Sequence, residues 1–242
     1  MTSRNPFSPD QKITRPGAAE IPAPAPWQAA ADRLIRALSP AGLDLIHPFD
    51  ADRFEAARRL IAPERPGALA LLVGNTRRLW APFSQAPRDD PHPLDRYVER
   101  AVRDAAAALD TPALIRFAHR TDPAFPFQRL ADAAGFAALS PCHLNIHPQH
   151  GPWIALRALL ILPDLDAPPP PTAPAPSPCA ACHAPCLEPF DRALRAADTP
   201  DVPAHWPLWL AVRDACPVGR DSRYTDAQIT YHYTHALPPC SP

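Results

Sequence analysis

Trp153 to Leu162 is an almost wholly apolar run between two prolines, Pro152 and Pro163. Such a run reads as a strand buried on both faces. The turn that feeds it is punctuated by His147-Pro148 and Gly151-Pro152. One residue breaks the run, Arg157. Side chains alternate along a strand, so Trp153, Ala155, Arg157 and Leu159 are expected on one face. A guanidinium among apolar neighbours stays charged and needs an accepting partner. An internal Asp or Glu, or a position at the sheet edge, would satisfy it. So would the carboxylate or phosphate of a ligand.

The rest of the chain alternates helical and strand patterns. Residues 1–25 hold scattered prolines without periodicity and read as a mobile leader. Trp27, Leu34, Ile35 and Leu38 lie at helical spacing, ended by Ser39-Pro40 and Gly42. A short strand to Phe49 follows, and Asp50 is placed to cap the next helix. Ala68 to Gly74 is a second buried strand. Gly74-Asn75-Thr76 then puts backbone N–H groups at a helix start, where an anion could sit, although one glycine is too little for a phosphate loop. His92 to Leu109 is amphipathic, with Leu94, Val98, Val102 and Ala105 on one stripe. Thr111 to His119 gives a strand, Phe125 to Ala134 a helix, and then the opening run. This is a layered α/β pattern.

The division expected is a core domain over 26–163, a proline-rich linker over 164–178, a helical cysteine-rich segment over 179–236 and a tail over 237–242. Proline is abundant, 37 residues against 7 glycines, which suits linkers and extended segments. Net charge is −1 with no long basic run, so nucleic-acid binding is not expected. No apolar run approaches a membrane span, because Arg157 splits the best one. The first residues have no signal-like apolar core, so a cytoplasmic setting and reduced thiols are expected.

Six cysteines in such a setting point to metal or redox chemistry rather than disulfides. Cys179, Cys182 and Cys186 form a C-x2-C-x3-C cluster, and Cys216-Pro217 follows. Bacterial ferredoxin sites use C-x2-C-x2-C-x3-C-P. Here the spacing to the third cysteine is one residue longer, and Phe190 stands where a fourth cysteine would be. Three readings follow. The four thiols hold one four-iron cluster; or they hold zinc, with His183 as a substitute ligand; or the segment is a decayed ferredoxin motif that binds nothing.

His147-Pro148-x-x-Gly151-x-Trp153-x-Ala155-x-Arg157 resembles the corresponding segment of the CblC (MMACHC) cobalamin-processing family. Two further patches agree with it: the strand ending in Pro48-Phe49, and a Trp-rich helix running into Arg213-Asp214-Ala215, then Arg223-Tyr224 and the Tyr231–Tyr233 helix. The likeness covers roughly residues 42 to 234 in patches. Epoxyqueuosine reductases carry a looser version of the first motif and ferredoxin motifs after it.

The resemblance implies an α/β (α+β) fold, with a nitroreductase-like mixed sheet flanked by helices and a small helical cysteine-containing segment. It implies redox-linked corrinoid binding, with His147, Gly151, Trp153, Arg157, Arg213 and Tyr224 around the cofactor. Arg157 and Arg213 would take an anionic thiol cosubstrate or a corrin side chain. Cobalamin is the cofactor so implied, and flavin is a further one through the nitroreductase likeness. A ferredoxin-like electron carrier and a flavin-dependent reductase are the alternatives. Epoxyqueuosine reduction is set aside, since both complete cluster motifs are missing. Relatives of this fold often form homodimers. The cysteine cluster is not a CblC feature.

Overall fold

The computed structural model describes residues 24–60, 66–87, 89–172, 176–197 and 202–236. The leader and the tail expected at the two ends lie outside these residues, apart from Pro24 and Ala25.

Helix α1 (Pro26–Leu38) starts on a proline, whose missing N–H costs nothing in a first turn. Gln28 Oε1 accepts from the Ala25 N–H at 2.9 Å and closes that end. Its buried stripe is Ala30, Ala31, Leu34 and Leu38. A left-handed Gly42 (φ +76°) turns the chain into strand β1 (Leu45–Asp50). There a side chain is excluded twice over, because a Cβ would also lie 2.4 Å from the Leu79 Cα.

Asp50 accepts from the Asp52 N–H at 2.9 Å and caps a single 3-10 turn, after which helix α2 (Glu55–Arg58) is short. Strand β2 (Ala68–Asn75) is buried along its whole length. Helices α3 (Trp80–Ser84) and α4 (Pro93–Ala107) carry the chain across to strand β3 (Leu114–Phe117). Helix α5 (Phe127–Ala133) precedes a small hairpin of β4 (Ala138–Leu139) and β5 (Asn145–Ile146).

The apolar run of the opening becomes strand β6 (Ala155–Asp166). It extends three residues beyond Pro163, and Asp166 still pairs with Ala68. The proline thus lies within the strand and does not end it. Trp153 and Ile154 precede the strand.

The sheet order is β1-β2-β6-β3. All three pairings are antiparallel, so the mixed sheet implied by the family likeness is corrected here. The reason lies in the connections. β2 and β3 run the same way and are joined by a helical crossover, but β6 inserts between them and opposes both. The layered α/β class holds. One face packs on α1, α3 and α4 through Leu34, Leu71, Val73, Val98 and Leu160. The other packs on α5 through Leu72, Leu130, Leu159 and Ile161.

Three helices complete the chain: α6 (Leu187–Ala197), α7 (Trp206–Asp214) and α8 (Asp226–Thr234). Val212 of α7 and Ala193 of α6 bury against Cys142, and Ile229 of α8 buries against Trp153 and Tyr224. No helix among the described residues is long and apolar enough to cross a membrane.

Candidate anion pocket and thiol cluster

Arg157 does not share the face of Leu159. Val73 pairs with Ala158 and Gly74 pairs with Leu156, so Arg157 is the extra residue of a β-bulge. A bulge breaks the two-residue alternation and re-aims one side chain. Leu159 therefore packs into the α5 cluster. Arg157 instead lines a cavity of about 190 Å³ with Trp153, Arg213, Tyr224 and His232.

The partner of Arg157 is not a carboxylate. Its Nε donates to Asn75 Oδ1 at 2.6 Å, and the Asn75 amide in turn donates to the Thr76 carbonyl at 2.7 Å. Arg157 makes no ion pair among the described residues, and its Nη2 is sealed from solvent without a hydrogen-bond partner. Burial holds its guanidinium below the usual value, opposed by Tyr224, Asp95 and Tyr231. The internal-carboxylate reading and the sheet-edge reading both fall, since β6 has a neighbour on either side.

Arg213 reaches the cavity from the last turn of α7, donating from Nη1 to the Pro152 carbonyl at 2.6 Å. The Tyr224 hydroxyl faces Asn75 without a well-aligned hydrogen bond, and burial pushes its pKa up to about 12. Burial, and then Arg157 and Arg213, lower His232 to about 3, so it is neutral with its Nε2 unpartnered. Both amide atoms of the fully buried Gln228 are unpartnered too. Each such group costs about 1–3 kcal/mol unless something supplies the missing bond. The Trp153 ring forms a wall, edge-on to Tyr224 at 5.6 Å. The Arg223 guanidinium lies over the Trp153 ring at 5.5 Å, held by Asp214 and Asp226. The cavity is cationic, contains unsatisfied donors and has aromatic sides. That is the chemistry of a site for a carboxylate or another small anion.

Trp153, Arg157, Arg213 and Tyr224 thus line one cavity. His147 and Gly151 stand outside the cavity. The His147 ring lies against Phe136 at 5.1 Å and stacks on His150 at 4.9 Å. Its Nδ1 accepts from the backbone N–H groups of Gln149 and His150 at 3.2 and 3.3 Å, which fixes the turn. Burial lowers its pKa to about 4. Gly151 packs against the Val218 carbonyl. Asn75, the partner of Arg157, and His232 are the residues here that periodicity did not single out. Asn75 shows as a polar residue within a buried strand. The N–H groups after Gly74 are not free for an anion, because Asp44 accepts from the Thr76 N–H at 2.8 Å.

Cys179, Cys182, Cys186 and Cys216 line a second, smaller cavity beside Ser140 and Val218. Cys142, 37 positions before Cys179 and outside any spacing rule, is buried next to them in contact with Cys186. Among the described residues no three His, Cys, Asp or Glu side chains stand where a single metal ion could bind them as they are. His183 is exposed.

No protein-family profile and no curated protein sequence matches this chain. Among solved structures, the B12-trafficking protein CblC of C. elegans, a homologue of human MMACHC, superposes with a TM-score of 0.56. The two share 17% identity over 85% of this chain and 92% of that one. Two epoxyqueuosine reductase structures, one selenomethionine-labelled and one with a modified tRNA-Tyr stem loop, superpose at 0.46 and 0.45 with 12% identity. They cover 67% of this chain, which spans about half of theirs (52%). The chain has the fold of CblC.

Proposed function

We propose that this protein binds and processes a corrinoid, and that the Arg157–Arg213 pocket takes an anionic end group. That group is the carboxylate of a small thiol cosubstrate or a side chain of the corrin. The observation that carries the reading is Arg157: a bulge aims it at Arg213, no carboxylate answers it, and its Nη2 lacks a partner. The shared fold supports the corrinoid as the larger ligand. At about 190 Å³ the pocket takes an end group and not a whole macrocycle, since sites for larger ligands span roughly 300–1,000 Å³.

The protein's own contribution is binding and orientation. Arg157 and Arg213 neutralise the anion. The Tyr224 hydroxyl, neutral near pH 7, donates a further hydrogen bond. Trp153 and Tyr233 give the pocket an aromatic lining. A bound corrinoid would supply the redox chemistry through its cobalt. A cytoplasmic setting, which keeps thiol cosubstrates reduced, goes with this reading.

Visible-absorption titration with hydroxocobalamin, with and without glutathione, tests the proposal. The expected result is saturable band shifts at micromolar corrinoid. In Arg157→Gln the glutathione response is expected to weaken about ten- to a hundredfold, the worth of one charge-assisted contact. Absence of any band shift up to about 100 μM, well above ordinary cofactor affinities, would rule out the corrinoid.

A further inference from the structure

Five of the chain's six cysteines meet at one place. They arrive from three separate stretches. Cys142 comes from the loop between β4 and β5. Cys179, Cys182 and Cys186 come from the turn before α6, and Cys216 follows α7. All five are free thiols. The Cys179–Cys182 turn closes with a backbone bond of 3.2 Å, which brings the first two sulfurs to one side. The C-terminal end of α7 brings Cys216 to the same cavity. Cys142 packs against Cys186, and its Sγ lies 3.2 Å from the Ser140 hydroxyl. Cysteine does pack as a small apolar residue. Packing alone, however, gives no reason for thiols so distant in sequence to converge on a shared space.

We propose that this cavity is a binding site for a thiophilic metal centre, with Cys179, Cys182, Cys186 and Cys216 as ligands and Cys142 as the residue that positions Cys186. Four sulfur donors and no carboxylate select a soft metal, either zinc or the irons of an iron–sulfur cluster. Each ligand thiol loses its proton to solvent on binding. The space between the sulfurs is only about 30 Å³, room for a single water-sized atom. The centre therefore enters as the half-exposed Cys179–Cys186 turn moves over the buried Cys142 and Cys216. A cluster gives each thiolate its own iron and so suits sulfurs spaced too widely for one ion. Zinc requires the turn to close further.

The test is metal and acid-labile sulfide content of the full chain, purified anaerobically from cells grown with added iron and zinc. Iron with matching sulfide identifies the cluster, and zinc at about one per chain, as in structural sites, identifies the ion. Either supports the proposal. Cys182→Ser and Cys216→Ser are both expected to lose that metal, although they lie on different elements. Cys142→Ala is expected to keep it but release it to a chelator about tenfold faster, the usual effect of removing a neighbour that orients a ligand. Neither metal in wild type, or full metal in a folded Cys216→Ser protein, would overturn the site. Unchanged release from Cys142→Ala would remove Cys142 from it.

Discussion

Gly151 and Gly219 face each other across two loops with no room for a side chain on either. A Cβ on Gly151 would lie 2.0 Å from the Val218 carbonyl oxygen, and one on Gly219 would lie 2.1 Å from the His150 carbonyl carbon. Both residues also have positive φ, +56° and +70°. The contact joins the turn before Trp153 to the loop that leaves Cys216, so it fixes both cavities at once.

Gly219→Ala is accordingly expected to destabilise the fold by at least about 2 kcal/mol, from left-handed strain plus backbone collision. In a chain of this size that is a fall in melting temperature of roughly 4–8 °C. Gly135→Ala is the control. Its φ is +76°, yet nothing lies within 4 Å of a Cβ there. It is expected to cost only the strain, about 1–2 kcal/mol. Equal melting temperatures for the two variants would contradict the interlocked loops.

Arg157→Gln gives a second measurement besides ligand affinity. Had Arg157 neutralised a buried carboxylate, its removal would cost about 3–5 kcal/mol. Its partner is the neutral Asn75 amide, so the expected loss is about 1–2 kcal/mol, one buried hydrogen bond. Thermal or denaturant unfolding of the variant decides between the two figures.

Acid sensitivity follows from the histidines. Folding lowers His147 to about 4 and His232 to about 3, both from an ordinary value of 6.5. Below that ordinary value the unfolded chain binds protons that the folded chain refuses. Stability therefore falls as pH drops from 6.5 toward 4, and rises with pH across the same window. His232→Gln should flatten that slope by about one proton, read from denaturant midpoints at a series of pH values. A slope unchanged by the substitution would mean that His232 is protonated in the native state.

Loss of the metal centre should be local. In Cys182→Ser, amide hydrogen exchange is expected to quicken in α6, α7 and the loop through Gly219. It should be unchanged in β2 and β6, whose bonds belong to the sheet. Uniform acceleration across both regions would show a single cooperative unit instead.

Much of this was legible in the sequence because it rested on composition at a point. Arg157 stood out as one charge in an apolar run, and the cysteine spacing drew attention to thiols that line one cavity. What could not be read depends on backbone geometry. The bulge that turns Arg157 away from Leu159 leaves no trace in residue types. Cys142 obeys no spacing rule, because its neighbours reach it through the tertiary fold. Pro189 hides α6, although a proline in a first turn lacks only an N–H that would be unpaired anyway. His147 carried the family motif, yet its ring serves the turn.

The place of β6 in the sheet has a consequence for biosynthesis. A nascent chain that has emerged only to residue 150 holds β2 with one partner and β3 with none. Their exposed edges stay open to wrong pairing until the last strand threads between them. A fragment ending there should show no protected amides in β3 by hydrogen exchange, and protection should appear once β6 is included. The sheet is thus completed at its middle, because an inner strand is the last to be synthesised.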